Sequence, residues 1–64
     1  MADYTRELKK HLQKAGCRFE RQGRGDHEIW WSPVTGVRFV LDRHIKSRHT
    51  ANAVLKQAGL PKKF

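Results

Sequence analysis

The chain has 64 residues, with 14 Lys/Arg against six Asp/Glu, a formal charge of +8 and a pI near 10.4. A chain this short buries only about 60% of the surface its unfolded form exposes, so it has room for one thin core, a single domain expected to span residues 1–64. Its one cysteine, Cys17, excludes an internal disulfide framework and a cysteine-based zinc site, and no apolar run approaches the roughly 18 residues that span a bilayer.

Leu8, Leu12 and Ala15 recur at helical spacing, which predicts a helix over about 4–15. Asp3 can cap its start, and Gly16 suits the left-handed residue past its end. From Cys17 the period becomes two: Cys17 and Phe19 alternate with Arg18 and Glu20 as a short half-buried strand. Gln22-Gly23-Arg24-Gly25 reads as a turn. His27 to Trp31 is a second strand, Ser32-Pro33-Val34-Thr35-Gly36 another turn, and Val37, Phe39 and Leu41 mark a third strand. A basic connection, Arg43 to His49, leads to Thr50, the expected N-cap of a second helix with Val54, Leu55 and Ala58 on its apolar face. Gly59 ends that helix, Leu60 folds back on it, and Pro61 prevents continuation.

The order is helix, three strands, helix. Short turns imply an antiparallel meander with both helices on one face and the other face open, an α+β architecture. Within the second strand, His27, Ile29 and Trp31 share one face; Glu28, Trp30 and Ser32 share the other. Two helices cannot bury both tryptophans. The expectation is that Trp31 joins Ile29 in the core and Trp30 lies on the open face, either under arginine stems or as a contact for a partner.

No acid lies between Arg43 and Phe64, whereas Arg43, Lys46, Arg48, Lys56, Lys62 and Lys63 all do, with His44 and His49. A one-signed segment in a tiny basic domain favours a polyanion, most often nucleic acid; an acidic protein or a membrane surface are the other classes. His11, His27, His44 and His49 contain no i, i+4 pair, which leaves zinc without sequence support. RNA cleavage by proton transfer is better supplied. A histidine that takes the ribose 2′-OH proton lets that oxygen attack the adjacent phosphorus, and cationic side chains stabilise the charge that builds. His27 follows a glycine turn at a strand edge, where backbone can approach a phosphate. Asp26 and Glu28 flank it in sequence and could favour its protonated form.

Over nearly its whole length the chain resembles the HicA family of small toxin ribonucleases. Arg6-Glu7-Leu8 through Lys14-Ala15-Gly16-Cys17 is similar to that family's first helix running into "KAGF". Arg21-Gln22-Gly23 followed by Gly25-Asp26-His27 resembles its "RQ-x-G-S-H" segment, Phe39 to His44 its "V-x-V-P-x-H" strand end, and Thr50 with Leu55-Lys56-Gln57-Ala58-Gly59-Leu60 its closing "T…LKQAGL" helix. The resemblance implies a dsRNA-binding-domain-like α-β-β-β-α fold and metal-independent cleavage of mRNA, with no cofactor. It also implies inhibition by a HicB-like antitoxin protein, and the single cysteine, Cys17, suits a reduced, cytoplasmic setting. It places catalysis on His27, makes Gly25 and Asp26 the positioning turn, and matches His44 to a recurrent histidine that is an acid partner, a phosphate contact or structural. Two positions depart from the pattern: Asp26 stands where the family has serine, and Asp42 where it has proline. Asp26 could orient His27 or repel phosphate.

The leading expectation is therefore an RNA-cleaving toxin with His27 as general base. Arg24, Arg43, His44, Lys46 and Arg48 are the candidate phosphate contacts and Trp30 the candidate base-stacking surface. A non-catalytic RNA-binding module and a basic interaction protein docking an acidic partner are the alternatives.

Overall fold

A computed structural model describes residues 3–64; Met1 and Ala2 of the expected span lie outside the described residues. The elements run α1 (Thr5–Lys14), β1 (Arg18–Gln22), β2 (His27–Trp31), β3 (Arg38–Asp42) and α2 (Arg48–Gln57). The strands form an antiparallel sheet in the order β1-β2-β3, so the α-β-β-β-α architecture is as the sequence implies. Leu8 and Leu12 of α1, and Ala51, Val54 and Leu55 of α2, share one buried cluster with Trp30, Phe39 and Leu41 of the sheet.

Both helices end alike. Past α1, the Gly16 N–H donates to the Gln13 carbonyl and the Cys17 N–H to the Leu12 carbonyl; past α2, Gly59 donates to Lys56 and Leu60 to Leu55. These paired bonds need a left-handed residue, supplied by Gly16 (φ 95°) and Gly59 (φ 79°). The starts differ from expectation. Asp3 accepts from the Thr5 N–H at 2.9 Å, although the residue at the α1 boundary is Tyr4. The second helix begins at Arg48, and its N-cap is Ser47, whose Oγ accepts from the His49 N–H at 3.1 Å. Thr50 lies inside the first turn because Ser47 already holds the extended backbone (φ −119°, ψ 135°) that a cap requires.

The β2–β3 turn is clamped to the helix ends. Ser32, fully buried, donates its hydroxyl to the Ala58 carbonyl at 2.7 Å and accepts from the Val34 N–H. Thr35 and Val34 lie against Gly59, and Pro33 against Gly16. At the opposite end, the Tyr4 N–H donates to the Ile45 carbonyl and the Ile45 N–H to the Thr5 hydroxyl. Ile45 is thereby pinned and fully buried, which leaves its neighbours His44 and Lys46 exposed. The tail is docked as well: Asn52 bonds the backbone of Lys63 and Phe64, and the Phe64 ring meets Tyr4 edge-on at 5.2 Å.

Two burial expectations are overturned. Trp30 is only 2% exposed and Trp31 is the half-buried one. The register is the cause: the turn pairs Trp30 with Phe39 and Trp31 with Arg38, so Trp30 faces the helices. Cys17 is buried, but Phe19 is 52% exposed. It points to the helix side, opposite Trp30, yet β1 is an edge strand beyond the helices' cover, and a register shift between Phe19 and Arg21 breaks its alternation.

A methyl group added to Gly59 would sit 2.6 Å from the Thr35 Cγ2, in a backbone conformation that already disfavours a side chain. Gly59→Ala is expected to lower unfolding free energy by at least about 1–2 kcal/mol, and Ser32→Ala by about 1–3 kcal/mol through the lost buried hydrogen bond. Urea unfolding midpoints of the two variants measure both.

Candidate active site on the open sheet face

His27 opens β2, and its place is set by the turn before it. The Gly23 N–H donates to the His27 carbonyl at 2.8 Å, and the His27 N–H to the Arg24 carbonyl at 3.1 Å. Gly25 turns the chain between them with φ 62°. Gln22 reinforces the loop, its side-chain amide donating to the carbonyls of Gly25 and His27. Gly23 is packed close as well: a Cβ there would lie 3.1 Å from the His27 carbonyl oxygen. On the other side the Arg43 N–H donates to the Asp26 carbonyl, carrying the β2–β3 ladder one step past His27.

Because Trp30 points inward, His27, Ile29 and Trp31 point outward, onto the face the helices leave open. Their cross-strand partners on β3 are Asp42, Val40 and Arg38, and Trp31 is flanked from β1 by Arg18. The imidazole Nδ1 lies 2.8 Å from the Asp42 Oδ1, and both side chains are about half exposed. Trp31 stands four residues along the same strand face, about 13 Å from His27 at ordinary strand rise. Arg38 pairs with Glu20 across the central strand on this face, and that contact lowers the Glu20 pKa and raises that of Arg38.

The acids that flank His27 in sequence do other things. The Asp26 carboxylate lies 3.9 Å from the Arg43 guanidinium and is well exposed. Glu28 turns to the helix side: one oxygen accepts from the Trp30 indole N–H at 3.0 Å, the other pairs with the Lys9 ammonium at 3.3 Å. These bonds, the indole's foremost, hold the Glu28 pKa below its ordinary value against the opposing effect of burial. The acid beside the His27 ring is thus Asp42, and neither Asp26 nor Glu28. It is remote from His27 in sequence and adjacent only through the register. Counting outward from the β2–β3 turn would have found it, since 31 pairs with 38 and 27 therefore with 42.

Of the other sequence candidates, Arg24 is exposed in the turn beside His27, and Arg43 sits one residue beyond its cross-strand partner. Arg43 and His44 also line a shallow groove with Arg6, Lys9 and Lys10 of α1 and with Glu28. His27 is outside that groove. Arg6, Lys9 and Lys10 were missed by sequence reading, although 6, 9, 10 and 13 share one face of a helix. Lys46 is exposed in the β3–α2 connection and Arg48 in the first turn of α2, and among the described residues no hydrogen bond or ion pair joins either to His27. Trp30 is enclosed and cannot present its ring to a base.

A small, strongly basic α+β domain with a histidine–carboxylate pair on an open sheet face is the class this structure defines. Comparison with protein families narrows it: residues 5–60 match the model of the HicA toxin of bacterial toxin–antitoxin systems. The chain belongs to the HicA toxin family, which assigns it to the toxin side of such a pair. No curated protein and no solved structure matches it significantly. Among the described residues no helix is long and apolar enough to cross a membrane.

Glu28 carries a testable consequence. Its folded-state pKa is lowered, so its contribution to stability is complete above its ordinary titration range and is lost as pH falls through that range to the lowered value. Glu28→Gln keeps an acceptor for the Trp30 indole but removes the titrating charge. Chemical unfolding as a function of pH should show a shallower acid-side loss of stability in the variant than in the wild type.

Proposed function

We propose that this toxin is a metal-independent endoribonuclease acting on mRNA, with His27 as the general base. The observation that carries the reading is the half-exposed imidazole of His27 at the end of a solvent-open sheet face, with Arg24 in the preceding turn and Arg43 on the neighbouring strand end. The base removes the ribose 2′-OH proton, the freed oxygen attacks the adjacent phosphorus, and the P–O5′ bond breaks as the 5′-oxygen takes a proton from water. The products are a 2′,3′-cyclic phosphate and a 5′-hydroxyl. Nearby cations stabilise the extra negative charge on the phosphorane. The sheet face supports a single strand laid along β2: a nucleotide at His27, the apolar pair Ile29 and Val40 in the middle, and Trp31 between Arg18 and Arg38 as the surface for a base.

The groove lined by Arg6, Lys9, Lys10, Arg43 and His44 holds Asp3 and Glu28 as well, and its cations outnumber these acids, which suits the RNA backbone around the sheet end. A HicB-like antitoxin would inhibit by covering His27 and this basic surface. Cytoplasmic mRNA is the substrate pool that fits such a toxin.

Incubation with single-stranded RNA in EDTA should yield cyclic-phosphate ends, and His27→Ala should abolish them while keeping the circular-dichroism spectrum. Binding without cleavage at any protein concentration would leave a non-catalytic RNA-binding module instead. Trp31→Ala should weaken RNA binding by about 1–3 kcal/mol, roughly 5- to 150-fold in Kd. Raising salt should weaken binding steeply.

A further inference from the structure

We infer that Asp42 is a positioning residue for His27: it holds the imidazole as the Nδ1–H tautomer and so leaves Nε2 as the atom that takes the substrate proton. The inference rests on the reading of His27 as general base and adds to it the residue that makes the ring competent. A carboxylate only accepts hydrogen bonds, so the 2.8 Å contact between the Asp42 Oδ1 and the His27 Nδ1 requires the proton to be on Nδ1. The remaining ring nitrogen then carries the lone pair. When Nε2 takes a proton, the Nδ1–H bond to the Asp42 carboxylate is kept, so the ring holds its orientation through the transfer.

Among the described residues the geometry makes Asp42 the one acid placed for this role. Asp26, next in sequence, has its carboxylate directed to Arg43, and Glu28 lies on the opposite face, held by Trp30 and Lys9. Asp42 and His27 are directly opposed in the β2–β3 ladder, and the Arg43–Asp26 backbone bond continues that ladder past them. Both side chains stand on the same sheet face, so the pair is fixed by backbone register and needs no loop rearrangement to form. About half of each side chain remains exposed, which leaves room for a nucleotide at Nε2. Asp42 stands where the resembled family pattern has proline, a residue with no carboxylate to offer. The positioning is therefore inferred for this chain from its own geometry.

The test uses the full chain and two readouts. Imidazole ¹⁵N chemical shifts should report the Nδ1–H tautomer for His27 in the wild type, a shift toward the Nε2–H form in Asp42→Ala, and retention of Nδ1–H in Asp42→Asn, whose amide oxygen still accepts. In single-stranded RNA cleavage, Asp42→Ala should lower kcat roughly 10- to 100-fold, a part of what a general base supplies, with KM little changed. Asp42→Asn should fall between it and the wild type. An unchanged tautomer in Asp42→Ala, or unchanged kcat where His27→Ala abolishes cleavage, would overturn the inference. A general loss of surface charge would raise KM instead, and that outcome also counts against positioning. If wild type and His27→Ala cleave equally or not at all, the general-base reading fails. The positioning role falls with it, while the tautomer shift still shows whether the pair forms in solution.

Discussion

The inward orientation of Trp30 is the constraint on which the remaining arrangement rests. It is the largest side chain in the core, and its indole N–H is satisfied by Glu28, two residues earlier on the same strand face. An aromatic ring of this size contributes on the order of 150–250 Å² of buried surface, a large share for so small a chain. Once that ring faces the helices, strand alternation sends His27, Ile29 and Trp31 to the open side. The position of the histidine is a consequence of the tryptophan's burial.

The molecule is tied at two ends, and the ties serve different purposes. At one end, the Ser32–Gly36 turn packs on both helix C-termini through Ser32, Pro33 and Thr35. At the other, Ile45 fastens the β3–α2 connection to the start of α1. The first tie holds the register that pairs residue 27 with residue 42. The second leaves Arg43, His44 and Lys46 exposed at the sheet end while Ile45 between them enters the core. Packing residues thus set the geometry of exposed ones.

Polar residues facing inward explain why the strand's orientation was misjudged from sequence. His27, Ile29 and Trp31 are together more apolar than Glu28, Trp30 and Ser32, so hydrophobicity alone favours burying the first set. The second set faces inward, with Trp30 and Ser32 buried and Glu28 partly so, because each polar member has a partner: Glu28 with Lys9 and the indole, Ser32 with the Ala58 carbonyl. Among the described residues no buried side-chain nitrogen or oxygen lacks one. Satisfied polar groups cost little to bury, and a pattern count does not see the satisfaction. The same blindness hid Asp42, which neighbours His27 through a hydrogen-bonded ladder rather than through the chain.

Element order, both glycine-terminated helices, the glycine turn before His27 and the basic character of the C-terminal third were all legible in the residues themselves, because each depends on local backbone preference or on charge. So was the family, through motifs in a fixed order. Which tryptophan is buried, which acid meets His27 and which α1 cations border the site depend on register and on the packing of helices against one sheet face. Those are relations between distant residues, and only the folded chain decides them.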